Sequence, residues 1–310
     1  LLPNCSMFEN DENIIESFLF DIHLNPQGNL PKTYGLTYGT ENIHRLNIVN
    51  KTVIPSTIYC LKHLKRLYIQ NTCLYCCNCQ QVDVIEYFPS SLTELSISDT
   101  KIIHLSEHLG KLTHLQSLKL SNVGLKTLPD SIGNLSSLIM LYLPNNNLTS
   151  LPITIKNLRF LQQITLKNNP YLRSVKELNG LQSLEILDVR YCLIEDLPHD
   201  IPKLIDLYMS NNNLTKLDGI QTLGYRTSSK KFFYFDMNHI RLITPQIRRV
   251  RNLYQLNLKD NKLTNLPSDI FDIRTLRVLS VDDNLFENDK LIKQLYVTFK
   301  ILYKSKYKSS

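Results

Sequence analysis

Residues 138–161, LIMLYLPNNNLTSLPITIKNLRFL, carry apolar residues at offsets that neither a plain helix nor a plain strand would produce. Leu141 and Leu143 alternate as in a short strand with one buried face, and the apolar residues after Leu151 recur three or four positions apart. The later spacing suits a helical or 3₁₀ return on the opposite side. Asn146 lies where the chain leaves the strand, and its amide can satisfy backbone groups that a buried turn would leave unpaired.

The same pattern recurs along the chain, as it must, because one such coil cannot bury its own apolar face. The pattern predicts eleven coils, most of them 23 residues apart, starting at Ile43, Leu64, Leu92, Leu115, Leu138, Leu161, Leu184, Leu204, Lys230, Leu253 and Leu276. Lys230 takes a position that is leucine in most other coils, so the register of the ninth coil is the least certain. The asparagine position is regular from Asn146 onward and irregular before it, where Val123 cannot make the hydrogen bonds of an amide.

This repeat resembles the leucine-rich repeat superfamily over roughly residues 43–286. The return segments Leu128-Pro129-x-x-Ile132-x-x-Leu135 and Leu151-Pro152-x-x-Ile155-x-x-Leu158 resemble those of Ras-suppressor-like and Scribble-like intracellular scaffolds. The resemblance implies an α/β horseshoe solenoid, with a concave parallel β-sheet and a convex side of helical, 3₁₀ or irregular segments. It also implies that the concave sheet binds another protein.

Three segments follow from where the repeat begins and ends. Residues 1–42 lack it and are predicted to form an N-terminal cap, and residues 43–286 form the solenoid of about eleven coils. In residues 287–310, apolar residues recur at three and four positions, which predicts a helix that covers the last coil and ends in a basic tail.

The seven cysteines do not form paired cysteine-rich caps at both ends, which argues against the usual secreted repeat protein. We therefore predict a cytoplasmic location, with an extracellular one as the alternative. Four of the cysteines lie in the insertion at Cys73–Cys79. Free thiols, local disulfides and a soft-metal site all remain open for this insertion.

Searches for catalytic and phosphate-binding motifs find no Walker, dinucleotide-binding, zinc-protease or nucleophile-elbow pattern. The sequence predicts no enzyme, no catalytic residue, no metal ligand and no cofactor. The net charge of +7 is spread along the chain and is weak support for nucleic-acid binding, and no apolar run is long enough for a membrane helix. The expected partner is another protein, without nucleic acid or membrane insertion; the oligomeric state is left open.

Residues that alternate with the core leucines should line the concave face in columns. Tyrosine and arginine are common interface anchors, and these columns concentrate them in the later coils, with aspartates toward the C-terminal end. The predicted partner-binding residues are Tyr142, Lys167, Asp188, Arg190, Tyr191, Tyr208, Phe232, Tyr234, Asp236, Lys259 and Asp282. We predict a non-catalytic protein-interaction module or scaffold, with an extracellular ligand-recognition ectodomain as the alternative.

Overall fold

The computed structural model describes residues 4–16, 37–39, 42–51, 54, 56–72, 84–102 and 104–286. The chain divides into two compact units, Leu1–Asn146 and Asn147–Ser310, which we call the N-terminal and the C-terminal unit. The predicted helix in residues 287–310 and the cysteine-rich insertion lie outside the described residues, as does most of the cap. The predicted division into three segments therefore stays a prediction.

The described residues of the N-terminal unit form six strands, one α-helix and several 3₁₀ helices. The α-helix is α1 (Asp11–Glu16), and the strands are β1 (Thr37–Gly39), β2 (Asn42–Val49), β3 (Arg66–Gln70), β4 (Glu94–Ser98), β5 (Ser117–Ser121) and β6 (Met140–Tyr142). The 3₁₀ helices are Cys5–Met7, Ser56–Cys60, Val84–Tyr87, Glu107–Lys111 and Asp130–Asn134. β1 pairs antiparallel with β2, whereas β2 to β6 are parallel and follow one another in chain order.

In the C-terminal unit, the residues up to 286 form six strands connected through 3₁₀ helices. The strands are β7 (Gln163–Thr165), β8 (Ile186–Asp188), β9 (Asp206–Tyr208), β10 (Lys231–Tyr234), β11 (Leu253–Asn257) and β12 (Val278–Ser280). The 3₁₀ helices are Ile153–Asn157, Lys176–Leu178, Ile220–Thr222, Pro245–Arg249 and Ser268–Asp272. All the pairings between successive strands of this unit are parallel.

The core of each unit is a stack of leucine-type side chains in register. In the N-terminal unit Leu46, Leu67, Leu95, Leu118 and Leu141 are paired across β2 to β6 and all are fully buried. The corresponding row of the C-terminal unit is also buried and consists of Ile164, Leu187, Leu207, Phe233, Leu256 and Leu279. Alternation along each short strand therefore places the intervening side chains on the opposite, exposed face of the sheet.

The Leu-Pro-x-x-Ile-x-x-Leu segments fold as 3₁₀ helices, for a local reason. Pro152 has φ −71°, and its carbonyl oxygen accepts a hydrogen bond from the Ile155 N–H at 3.1 Å. Residues three apart in a 3₁₀ helix lie on the same side, so Ile155 and Leu158 are buried together. The return segment is thus a tight 3₁₀ turn. Together with the parallel sheet, it confirms the fold class predicted from the sequence, an α/β leucine-rich repeat solenoid.

The ninth coil differs from the prediction at Lys230. Lys230 is exposed, and the fully buried lysine is Lys231, which pairs with Leu253. The register shifts between Lys231 and Phe232, so the residue after the predicted one points into the core. The Nζ of Lys231 donates a hydrogen bond to the Arg251 carbonyl oxygen. The buried stem also packs against Gly224, whose φ of 66° and missing side chain make room for it.

The asparagines at the predicted position of successive coils form a row, which we call the asparagine ladder. Their side chains join each coil to the one before it. The Asn212 Nδ2 donates to the Val189 carbonyl oxygen at 2.9 Å, and its Oδ1 accepts from the Ile194 N–H at 2.9 Å. Asn146, Asn169, Asn238, Asn261 and Asn284 make equivalent bonds to the preceding coil. Because these bonds satisfy backbone groups inside the coil, each asparagine stabilises the turn that follows its strand.

Other side chains partly replace the asparagine where the sequence lacks it. The Thr72 and Thr100 hydroxyls are buried and donate to the Gln70 and Ser98 carbonyl oxygens, both at 2.9 Å. The Cys192 thiol donates to the Leu166 carbonyl oxygen at 3.4 Å, and burial raises its pKa to about 11. The early part of the ladder is therefore less irregular than the sequence alone indicates, because a hydroxyl can make part of the amide's bonds.

The residue before each ladder position has a left-handed backbone in all eleven coils. Nine of these residues are asparagine or aspartate, which tolerate positive φ. The exceptions are Tyr191, with φ 58°, and Met237, with φ 54°, whose side chains are 48% and 51% exposed. Bulky residues are strained in this conformation, so these two turns store conformational energy that the other nine do not.

The N-terminal segment is attached to the first coil by a disulfide that the sequence analysis does not predict. Cys5 and Cys60 are bonded and lie 55 positions apart in the sequence. The Asp11 Oδ2 accepts a hydrogen bond from the Ile43 N–H at 2.6 Å, and Ile14 of α1 is buried. Residue spacing alone does not indicate such a pairing, since it requires the 3₁₀ helix Cys5–Met7 to lie beside the 3₁₀ helix Ser56–Cys60.

Candidate functional site

The exposed face of the C-terminal unit has a central row of aligned side chains. Its members are Thr165, Asp188, Tyr208, Tyr234, Asn257 and Ser280, one from each strand β7 to β12. Three of the predicted partner-binding residues, Asp188, Tyr208 and Tyr234, are therefore neighbours on adjacent strands. Thr165 and Asp188 are buried, whereas both tyrosines are half-buried.

Arg190 links two members of this row. Its Nε donates to Asp188 Oδ1 at 2.9 Å and its NH2 group to Asp188 Oδ2 at 2.6 Å, so the carboxylate is held in bidentate fashion. The guanidinium carbon lies 5.1 Å from the centre of the Tyr208 ring. The hydrogen bonds to Asp188 raise the pKa of Arg190 further above its usual value. These contacts hold Arg190 in place, and the carboxylate of Asp188 neutralises the charge of its guanidinium.

Tyr208 and Tyr234 continue the stack. Their ring centroids are 5.0 Å apart and their planes differ by 8°. Burial raises the pKa of both phenols, and the negative charge of Asp206 raises both further. Arg190, Tyr208 and Tyr234 thus form a rigid cationic and aromatic column across three coils, with few rotatable bonds to immobilise on binding.

Phe232 lies beside this column, on the same strand as Tyr234. Its ring contacts Tyr254 at a centroid distance of 5.6 Å, and the Nζ of Lys230 lies 4.4 Å from the centre of the Tyr254 ring. Phe232 is half-buried and pairs in register with Asp206. The predicted residue Phe232 therefore lies on the same face as the tyrosine pair, but its ring contacts Tyr254.

The sequence analysis missed Asp206. This half-buried carboxylate precedes Leu207 in β9, and it faces the same side as Tyr208 because the two residues are two positions apart. Burial raises its pKa. The signal that could have found Asp206 was its position two residues before Tyr208. The prediction named Phe232 from the same row of the sheet but did not consider Asp206.

Further predicted residues lie in the segments just after the strands. The Asp236 Oδ1 accepts from the Ser210 hydroxyl at 2.7 Å and from the Asn257 Nδ2 at 2.8 Å. The Lys259 Nζ lies 3.6 Å from Asp283 Oδ2, and Asp282 is half-buried in the last described coil. These three predicted residues lie beyond the carboxyl ends of β10, β11 and β12, respectively, and not on the strands.

The prediction places Tyr191 on the strand face, but it lies in the left-handed turn after β8. β8 ends at Asp188, and Val189 is the last core residue before the turn. The chain therefore leaves the sheet before it reaches Tyr191. The Nζ of the predicted residue Lys167 is 5.5 Å from the centre of the Tyr191 ring. This pair thus forms a contact at the edge of the sheet and is not part of the Tyr208 stack.

Tyr142 belongs to the N-terminal unit, where it ends β6 and is 37% exposed. Its register neighbour is Lys119, whose Nζ forms an ion pair with Glu94 Oε1 at 2.8 Å. The Tyr68 hydroxyl donates to Glu94 Oε2 at 2.9 Å. Burial acts to raise the pKa of Glu94, but the hydrogen bonds from Lys119 and Tyr68 outweigh it and lower the pKa.

Within the ranges that the structure describes, no three or more His, Cys, Asp and Glu side chains are placed to hold a metal ion. No helix in the described part of the chain is both long enough and apolar enough to cross a membrane.

Comparisons with known proteins agree with this fold. Residues 89–233 match the family model described as a leucine-rich repeat region. Human volume-regulated anion channel subunit LRRC8A is 33% identical over 111 residues, which cover 34% of this chain and 13% of that protein. The chain spans 5% to 13% of the length of the first curated relatives that it matches.

Solved structures of the same fold cover most of the chain. The protein LIC12759 of Leptospira interrogans is 25% identical with a TM-score of 0.56, over 80% of this chain and 74% of that one. A chain of the octameric complex of Latrophilin 3, Unc5D and FLRT2 (LRR) is 20% identical with a TM-score of 0.64, over 84% of this chain and 81% of that one.

The repeat geometry of both units is that of the leucine-rich repeat fold, and residues 89–233 match the family model of that repeat. Leucine-rich repeat solenoids in general are folds of protein interaction and serve as non-catalytic binding scaffolds.

Proposed function

We propose that this chain binds another protein through the exposed sheet face of its C-terminal unit and that it catalyses no reaction. The observation that carries the proposal is the column of Arg190, Tyr208 and Tyr234, which presents an arginine and two aromatic rings on successive coils. Residues of these types are the most frequent energetic centres of protein interfaces. The complex of Latrophilin 3, Unc5D and FLRT2 supports the proposal, because an LRR protein takes part in that assembly.

The charges of this face also favour a protein over a nucleic acid. Asp206 and Asp236 form no ion pair among the described residues, and Arg190 is already neutralised by Asp188. A phosphate backbone would be repelled by such a face. The absence of nucleic-acid binding, however, stays a prediction for the chain as a whole.

The test replaces Tyr208 and Tyr234 together with alanine. Partners are first captured from the native source with the wild-type protein and identified, and their affinities are then measured with both proteins. We expect each partner of the face to lose on the order of 2–4 kcal/mol, tens- to hundreds-fold in affinity. Phe160→Ala/Tyr171→Ala is the matched control, since it removes two aromatic side chains that are 62% and 59% exposed and lie outside the strands. If the Tyr208/Tyr234 variant keeps every partner at full affinity, the proposed face is wrong.

A second candidate function, recognition of an extracellular ligand, is favoured by the Cys5–Cys60 disulfide. Structural disulfides persist mainly in oxidising compartments. The disulfide therefore supports an extracellular location over the predicted cytoplasmic one, and it counts against the finer resemblance to Ras-suppressor-like and Scribble-like scaffolds.

The disulfide can be tested on protein from its native source by alkylation in denaturant before and after reduction, followed by peptide mass spectrometry. Cys5 and Cys60 should be alkylated only after reduction if the protein is exported. The internal control is Cys192, a buried free thiol that denaturant alone should expose to the reagent. Alkylation of Cys5 and Cys60 without reduction would support the cytoplasmic location.

A further inference from the structure

The carboxylate of Asp206 has no partner of its own. Among the residues that the structure describes, it accepts no hydrogen bond and forms no ion pair, although it is half-buried on the sheet face. Leaving a carboxylate partly desolvated without a donor is unfavourable, so a partner that supplies one gains the interaction at little further desolvation.

The surroundings of Asp206 are apolar and aromatic. Ile186 and Phe232 are its register neighbours on the two adjacent strands, and Tyr208 follows it on the same face. Aromatic rings beside a carboxylate attract cations doubly, through the ring quadrupole and through the charge. A neutral polar group would bind here less strongly, because it has no net charge to interact with the carboxylate or with the ring quadrupole.

The chain itself shows that a guanidinium fits this type of site. On the neighbouring coil, Arg190 is held by Asp188 and lies over the Tyr208 ring at 5.1 Å. Asp206 and Phe232 offer the same combination of carboxylate and ring two residues further toward the amino ends of the strands, without an arginine among the described residues bound there. The planar guanidinium matches both partners at once, since it binds carboxylates in bidentate fashion and stacks on rings.

Asp236 adds to the same negative field. Its hydrogen-bond donors, Ser210 and Asn257, are both neutral, and it forms no ion pair with a described residue. Asp206 and Asp236 therefore lie on either side of the tyrosine pair as two uncompensated charges, in a chain whose net charge is +7. A protein with a net positive charge repels cations on average. Binding of a cationic probe would therefore indicate a local negative site on this face.

We propose that Asp206, with the rings of Phe232 and Tyr208, receives an arginine side chain from a basic segment of the protein partner. This inference rests on the proposed protein-binding function and specifies its chemistry. The carboxylate accepts hydrogen bonds from the guanidinium, the neighbouring ring covers the guanidinium plane, and Asp236 attracts a further positive charge of the segment.

The experiment uses a defined probe and does not require the partner. The probe is the peptide acetyl-Trp-Gly-Arg-Gly-Arg-Gly-amide, and its control replaces both arginines with citrulline, which keeps the shape and removes the charge. Because the chain contains no tryptophan, the peptide's single Trp gives a fluorescence signal without background. Amide chemical shifts of the labelled protein locate the bound probe.

We expect the arginine probe to bind about tenfold more tightly than the citrulline probe, with shifts at Asp206 and Phe232. Asp206→Asn keeps the side-chain volume and should weaken binding of the arginine probe about tenfold. Asp272→Asn is the matched control, because Asp272 is an exposed carboxylate at the end of the 3₁₀ helix Ser268–Asp272 and should leave the affinity unchanged.

Equal affinity of the arginine and citrulline probes, or full affinity of Asp206→Asn, overturns the arginine site. Neither result touches the proposed function, which fails only if the Tyr208/Tyr234 variant keeps all its partners. The opposite outcome is equally distinct. If the arginine probe binds as expected but the partners bind the Tyr208/Tyr234 variant with unchanged affinity, the arginine site is supported and the proposed function is refuted. Equal unfolding midpoints of wild type and Asp206→Asn verify that the variant is folded.

Discussion

Tyr208 and Tyr234 stack on adjacent strands with their ring centroids 5.0 Å apart and nearly parallel planes, 8° from one another. The contact exists because β9 and β10 pair in register, which brings together two residues from different coils. A double-mutant cycle on unfolding free energies should give a coupling of about 0.5–1.5 kcal/mol between the two residues. A control cycle between Tyr234 and the exposed Tyr171 should give none. A coupling near zero for the first pair would show that the rings do not stack in solution.

The asparagine ladder predicts a large cost for a small truncation. Asn212→Ala leaves the Val189 carbonyl and the Ile194 N–H without their side-chain partner inside the coil, so it should reduce the unfolding free energy by about 1–3 kcal/mol. Asn213→Ala is the adjacent control, and its effect should stay within about 0.5 kcal/mol. Urea unfolding of both variants measures the difference. Equal effects would contradict the structural role assigned to Asn212.

Relieving the left-handed methionine should stabilise the protein. Met237→Asn places in the turn the residue type that most coils use there, and we expect a gain of about 1 kcal/mol because asparagine tolerates positive φ. The reverse change one coil earlier, Asn211→Met, should cost a similar amount. Thermal unfolding of the two variants makes the comparison. Destabilisation by Met237→Asn would mean that the apolar contacts of Met237 outweigh its strain.

Lys231 predicts a rise of stability with pH. Burial lowers the pKa of Lys231 from 10.5 to about 8, with a smaller contribution from the charge of Arg251. Between these values the unfolded chain keeps the proton that the folded chain has released, so the unfolding free energy increases with pH in this window. Below about pH 8 both states are charged, and the cost of burying the ammonium is fully present.

Replacing Lys231 with methionine should therefore stabilise the protein at neutral pH, by on the order of 2 kcal/mol, and the advantage should shrink as the pH rises. Lys230→Met removes the same charge from the exposed neighbour and should show no such trend. Denaturant unfolding of both variants and the wild type at several pH values separates these outcomes. A constant difference between Lys231→Met and the wild type would refute the assigned protonation.

The sequence by itself determined the coil and its faces. A strand side chain alternates between the two faces, and the repeat returns each coil to the same register, so Leu207 and Phe233 could be assigned to the core and Tyr208 and Tyr234 to the exposed face. The asparagine ladder followed from the same spacing. These features are local or periodic, which is why they can be read without knowing which coils touch.

The tertiary structure decided what depends on contacts between coils. The Cys5–Cys60 pairing, the burial of Lys231 in place of Lys230, and the turn that removes Tyr191 from the strand face all required the register between neighbours. The same holds for charge, because Arg190 is paired with Asp188 whereas Asp206 has no partner among the residues that the structure describes. Pair interactions across strands depend on distances of a few ångströms, and the repeat pattern specifies the face of a residue but not the partner of its side chain.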